Sequence, residues 1–276
     1  MSAILATMGA ATIVTRLLAP PAPSRWHDIV LLKDLLVPIA LFAVYARLVR
    51  IMEHRPAIEI SPRNGLSAFP VGALLGALLM AAFFLTLWAL GRAHFSRGTG
   101  LDGLASEILV PLFTATCEEL LFRVVLFRIL QEMWGSSAAI FVSALVFGLS
   151  HAVNPGATPL ALAALSVETG VLLALAYMLT GSIWLAAGIH MGWNFTEGFV
   201  FGAYDSGFRD PHTLFRTTLA GADWLTGGRF GPEGSIVTLG YGLCACGVLC
   251  ALVWREGVWE PPHFRMRPPP VGSPLS

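Results

Sequence analysis

The sequence predicts an all-α fold, a polytopic transmembrane helical bundle of about seven spans. Three observations carry this reading. The chain is 55% hydrophobic and only 12% charged, where soluble domains average about 25% charged. Apolar runs of about 20 residues recur, long enough to cross a hydrocarbon core roughly 30 Å thick. Pro, Gly and Arg punctuate those runs as helix boundaries would. Seventeen basic and seventeen acidic side chains cancel, so no net field draws a polyanion, and nucleic-acid binding is excluded as a main role. Cys117, Cys244, Cys246 and Cys250 lie inside apolar stretches, where a thiol behaves as a small hydrophobe and signals no redox compartment.

Residues 1–19 are apolar, but Arg16 interrupts them and no small-residue cleavage site precedes Pro20, Pro21 and Pro23. A short interfacial helix is expected there rather than a signal peptide. Spans are expected at about 28–50, 70–90, 107–131, 137–153, 160–180, 183–203 and 235–254. The chain then divides into an N-terminal region 1–106 with two spans, a core 107–203, a segment 204–260 with a long loop and the last span, and a disordered Pro-rich tail 261–276. The loop from Tyr204 to Gly234 reads first as a plain surface connection, with a lid over the membrane face as the alternative. Arg47, Arg50, Arg55 and Arg63, with Arg255, Arg265 and Arg267, favour a cytoplasmic C-terminus. Lys33 is the only Lys among the seventeen basic residues, a bias that fits an Ala-rich, GC-rich bacterial genome, and a bacterial inner (cell) membrane is the expected location.

The third span carries Glu118, Glu119 and Arg123, about 17 Å or more from its start. Three such groups facing lipid would cost on the order of 8 to 10 kcal/mol, so they must face protein or a water-filled cavity. Glu119 and Arg123 are four apart, in the order that favours an ion pair on one helix face. Glu118 points about 100° away and lacks that partner, which suits it to take a proton from water. The fourth span ends in Phe147-Gly148-Leu149-Ser150-His151, and the sixth places His190 and Asn194 on one face. Counting rises from a common membrane side puts Glu118, His151, His190 and Asn194 in one layer, roughly 9 to 20 Å deep. Gly188 and Gly192, and Gly198 and Gly202, are spaced for close helix approach, expected to seat His190 and Asn194 against the Glu118 helix. Glu168 and Glu197 are also deep, with no role assigned by their spacing.

Glu118-Glu119-x-x-x-Arg123, Phe147-x-x-x-His151 and His190-x-x-x-Asn194, in this order on separate spans, resemble the three motifs of the CPBP or Abi family, which includes the Rce1-type CAAX prenyl endopeptidases. The resemblance covers about residues 107–203. It implies an intramembrane endopeptidase in which Glu118 activates water with His151, His190 and Asn194 stabilise the oxyanion, and Glu119, Arg123 and Phe147 support them. It implies as partners the lipid bilayer and a protein or peptide substrate cut near the membrane: a prenylated tail, a bacteriocin leader or a C-terminal sorting tail. No cofactor is expected, although Glu118, His151 and His190 would be the ligands of a zinc-dependent form. His-Glu-x-x-His, Gly-x-Gly-Asp and a Gly-x-Ser-x-Gly context for Ser150 are missing. Two other classes place acids and imidazoles at such depth. A transporter would show repeated halves with broken helices, which the sequence lacks. A non-catalytic immunity or scaffold protein would keep the fold without needing the base.

Overall fold

The structure, a computed structural model, describes residues 24–262. The interfacial helix expected in residues 1–19, and the tail from residue 263 onward, lie outside the described residues. Helix α1 (Ser24–Met52) is followed by α2 (Pro62–Ala89), a strand β1 (Ala93–Arg97) and α3 (Leu104–Glu119). Helix α3 continues through a π-helical stretch, Leu120–Phe127, into α4 (Arg128–Trp134) and on to α5 (Ser136–Ser150). Helix α6 (Pro159–Leu165) passes through a second π stretch, Ser166–Val171, into α7 (Leu172–Thr180). Helix α8 (Ile183–Asn194) ends in a third, Phe195–Val200. The short strands β2 (Tyr204–Asp205), β3 (Phe208–Arg209) and β4 (Phe215–Leu219), a turn of helix α9 (Asp223–Thr226) and α10 (Ile236–Arg255) complete the order.

Continuous helical runs therefore stand at each of the seven expected positions. Those within 32–52, 67–89, 159–180 and 236–255 are long and apolar enough to cross a bilayer. The run 104–134 is interrupted by Glu107, Glu118, Glu119, Arg123, Arg128 and Glu132. Helix α5 is apolar, but its 15 residues rise only about 22 Å. Local chemistry explains the ends. Thr158 caps the start of α6 by accepting from the Ala161 N–H at 3.1 Å, with Pro159 where no donor is needed. Gly181, at φ +60°, closes α7 in the left-handed conformation. Leu35, Ile39, Leu74, Leu78, Phe141, Leu243 and Val248 stay exposed, an outer surface that suits acyl chains. The protein is an integral membrane protein.

The glycines of the sixth run correct the expected packing. A Cβ on Gly188 would stand 2.3 Å from the Phe69 carbonyl oxygen, and one on Gly192 2.0 Å from that of Ala73. From the other side, Gly72 and Gly76 meet the carbonyls of Leu185 and Ile189. The seam is thus between α8 and α2, not between α8 and the Glu118 helix. Side chains on the opposite face of α8 are left to meet α3. Gly198 makes room for Asp210, and Gly202, at φ +64°, terminates the run, so that pair forms no helix seam.

The segment 204–234 is folded. Strand β4 pairs antiparallel with β1, Phe95 opposite Thr217, and β2 pairs with β3. These small ribbons were not legible in an all-α pattern because the β1–β4 partners lie far apart in sequence and each strand is short.

Replacing Gly188 by Ala should destabilise the protein by about 1 to 3 kcal/mol, because backbone rather than a flexible side chain must yield. Gly240, whose added Cβ would meet nothing within 4 Å, should tolerate the same change. Thermal unfolding of both variants in detergent tests the contrast.

Candidate active site

The end of α3 presents successive carboxylates to two different environments. Glu119 is fully buried, its Oε2 forms an ion pair of 3.1 Å with Arg123 Nε, and its Oε1 accepts from His190 Nδ1 at 2.9 Å. Arg123 is also buried, and its Nη2 donates to the carbonyls of Thr169 and Gly170 at 3.1 and 3.4 Å. Those carbonyls belong to the π stretch between α6 and α7, where the extra residue disturbs the regular ladder and lets oxygens face a neighbour. The guanidinium carbon sits 4.6 Å from the centre of the Phe147 ring, a cation–π contact. Phe147 in turn lies edge-on to His190 at 6.1 Å and beside His151 at 5.0 Å.

Glu118 turns the other way. Its Oε2 makes no hydrogen bond and lies 3.9 Å from His190 Nε2. His151 Nδ1 is held by the Phe147 carbonyl at 2.9 Å and by Ser150 Oγ at 3.1 Å, and neither contact uses Nε2. Glu118, His151, His190 and Asn194 all line one cavity of about 180 Å³, with Phe147, Thr114 and Thr169 in its walls. Helices α3, α5 and α8 therefore bring the four sequence-designated residues together, while Glu119 and Arg123 lie behind them as an ion pair.

Part of the cavity was not foreseen. Asp205, Ser206, Phe208, Asp210 and Glu233, from the segment expected first as a surface connection and alternatively as a lid, line the same space. The segment is tied down there: Ser206 N–H and Oγ donate to Glu233 Oε2 at 3.0 and 2.6 Å, and Asn154 Nδ2 donates to the Ser206 carbonyl at 2.9 Å. No motif spacing marks these residues, since they reach the site only through the tertiary fold. Burial pushes the Glu233 carboxyl upward, partly offset by the Ser206 hydrogen bonds. Burial likewise pushes Asp210 up to about 6. Glu168 and Glu197, fully buried, face no basic partner in an ion pair among the described residues.

The zinc shell weighed from sequence fits this geometry poorly. Donor atoms on one tetrahedral zinc stand about 2.0 to 2.1 Å from the ion. Among the described residues, Glu118, His151 and His190 do not bring three ligand atoms within 4.8 Å of one another. One nitrogen of His190 is also committed to Glu119.

One comparison with known proteins overlaps this part of the chain. Residues 102–196 match the family described as type II CAAX prenyl endopeptidase Rce1-like. That stretch is similar to this family, and the rest of the chain lies outside the match. The matched region contains every residue of the three motifs, from Glu118 to Asn194, and ends before the loop that supplies Asp205 and Glu233. The family is one of membrane proteases, and its endopeptidase activity is the general chemistry to which this region points. Among curated proteins and among solved structures, no match to the chain was found.

Replacing Arg123 by Leu should cost about 3 to 5 kcal/mol, since Glu119 would remain buried without its cation. Glu119→Gln combined with Arg123→Leu should recover part of that loss, and a double variant no more stable than the single one would deny the pair its structural role. A separate titration concerns Asp210. Between its ordinary value of 3.8 and about 6, the folded protein holds a proton that the unfolded chain has released, so stability falls as pH rises through this window. Asp210→Asn should flatten that slope in melting temperature against pH, and an unaltered slope would assign it to another group.

Proposed function

We propose that the chain is an intramembrane endopeptidase that hydrolyses a peptide bond in a membrane-associated protein or peptide by glutamate-activated water. The observation that carries this reading is the convergence of Glu118, His151, His190 and Asn194, from three helices, on one cavity. Glu118 is the general base. It has an oxygen without a hydrogen bond beside that space, so it can accept the proton of a water placed against a carbonyl carbon. His151, its Nδ1 fixed by Phe147 and Ser150, orients that water through Nε2.

As the water oxygen adds, the carbonyl oxygen becomes an oxyanion. Asn194 Nδ2 and His190 Nε2 donate to it, and their fixed positions avoid the cost of reorganising solvent as charge develops. Donation from Nε2 as well as Nδ1 requires the doubly protonated His190 ring, whose charge the flanking carboxylates offset. The proton on Glu118 then passes to the departing amide nitrogen, restoring the base. No metal enters these steps. The substrate is a polypeptide whose scissile bond lies near the membrane, and the CAAX tails in the matching family's description are one such class. A bacterial cell membrane is the setting favoured by the Arg-for-Lys bias.

Glu118→Gln should abolish cleavage of a membrane-anchored peptide while leaving the melting temperature unchanged. Asn194→Ala should lower kcat by about 100- to 1,000-fold with little effect on KM. A zinc-selective chelator, with calcium kept in the buffer, should leave turnover intact. Retained cleavage in Glu118→Gln would overturn the mechanism, and restoration of activity by zinc after chelation would replace it with a metal-dependent one.

A further inference from the structure

At the cavity wall, Glu197, Asp205 and Glu233 each bring a carboxylate oxygen to within 4.8 Å of the others. Acid clusters alone are common, but this one has further features. Glu197 has no exposed surface, and neither of its oxygens accepts a hydrogen bond of normal geometry. Glu168, from the π stretch between α6 and α7, is equally buried, with both oxygens unpartnered. The backbone also comes close. A Cβ on Gly231, whose φ is +122°, would stand 3.0 Å from Glu197 Oε1 and 2.2 Å from the Tyr204 carbonyl oxygen. Buried carboxylates require protons or a cation.

We propose that Glu197, Asp205 and Glu233 bind a calcium ion. The donors are all oxygens, which select hard cations over zinc or copper. Ligand oxygens up to about 5 Å apart can share Ca²⁺ at 2.3 to 2.6 Å, whereas Mg²⁺ at 2.0 to 2.1 Å tolerates only about 4 Å. The oxygens of this set lie within 4.8 Å of one another, close enough to share Ca²⁺, and a set of protein carboxylates suits an ion that gives up its water more readily than Mg²⁺ does. The ion would join the π stretch after α8 to both ends of the segment 204–234, and so hold Ser206, Phe208 and Asp210 in the wall of the cavity. Calcium therefore acts as a clamp on the loop that shares the cavity with Glu118 and His151, and the proposal does not depend on the proteolytic reading.

The test uses full-length protein in detergent, stripped of divalent ions and titrated with CaCl₂ by calorimetry and by melting temperature. The expected result is one saturable Ca²⁺ per chain and a rise in melting temperature that MgCl₂ does not match at equal concentration. Glu197→Gln and Asp205→Asn should each weaken Ca²⁺ affinity at least tenfold. Their calcium-free melting temperatures should equal or exceed that of the unaltered protein, because a mutual repulsion has been removed. Absence of saturable binding, a preference for Mg²⁺, or unchanged affinity in both variants would overturn the proposal. Neither readout requires turnover, so an inactive enzyme leaves the test intact.

Discussion

Glu119 has no contact with solvent, and a carboxylate so placed must find compensating charge within the protein or force the surrounding helices apart. It finds Arg123 one turn along the same helical run and His190 on α8. The rest of the site is arranged around that requirement. The hydrogen bond to His190 fixes the imidazole plane and turns Nε2 toward Glu118. The arginine, spent on Glu119, reaches across to the carbonyls of Thr169 and Gly170 and lies on the Phe147 ring, so that α3, α5, α6 and α8 are linked through one buried cation. A pair of this kind is poor as a source of net stability. Its value here is positional: Glu118 is set apart, and its neighbours are held.

The sequence was informative where charge violates its surroundings. Adjacent carboxylates in an apolar run, with an arginine four residues on, have few arrangements open to them, so the Glu119–Arg123 pair and the separate environment of Glu118 were readable from spacing. The seven helical positions were readable from run length. Three aspects were not. Each π stretch follows or contains a polar residue of the cluster, and an inserted residue leaves no periodic mark that a short apolar run would reveal. The partner of the Gly188–Gly192 face depended on which neighbour α8 met, and its own spacing does not distinguish α2 from α3. The cavity wall formed by Asp205, Ser206, Asp210 and Glu233 lies in a glycine-rich connection whose residues look like those of any surface loop.

That wall divides the molecule in an informative way. The residues with the proposed chemical roles fall within the 102–196 stretch shared with the Rce1-like family, whereas the residues that close the cavity over them fall beyond it. Hydrolysis of an amide needs the former almost irrespective of the substrate. The latter add Asp205, Asp210 and Glu233 to the cavity wall, on a segment braced by the β1–β4 ribbon and by the Ser206–Glu233 hydrogen bonds. The residues proposed for hydrolysis and the acidic wall opposite them thus come from different parts of the chain.

The seam between α2 and α8 has a mechanical meaning. Where two backbones touch through Gly72, Gly76, Gly188 and Gly192, neither helix can slide or rotate without one carbonyl row striking the other. The two move as a single slab, and His190 and Asn194 ride on it. The side of the cavity built on that slab does not yield, so any widening of the space around His190 and Asn194 comes from movement of the other elements that line it, α3, the end of α5 and the folded segment.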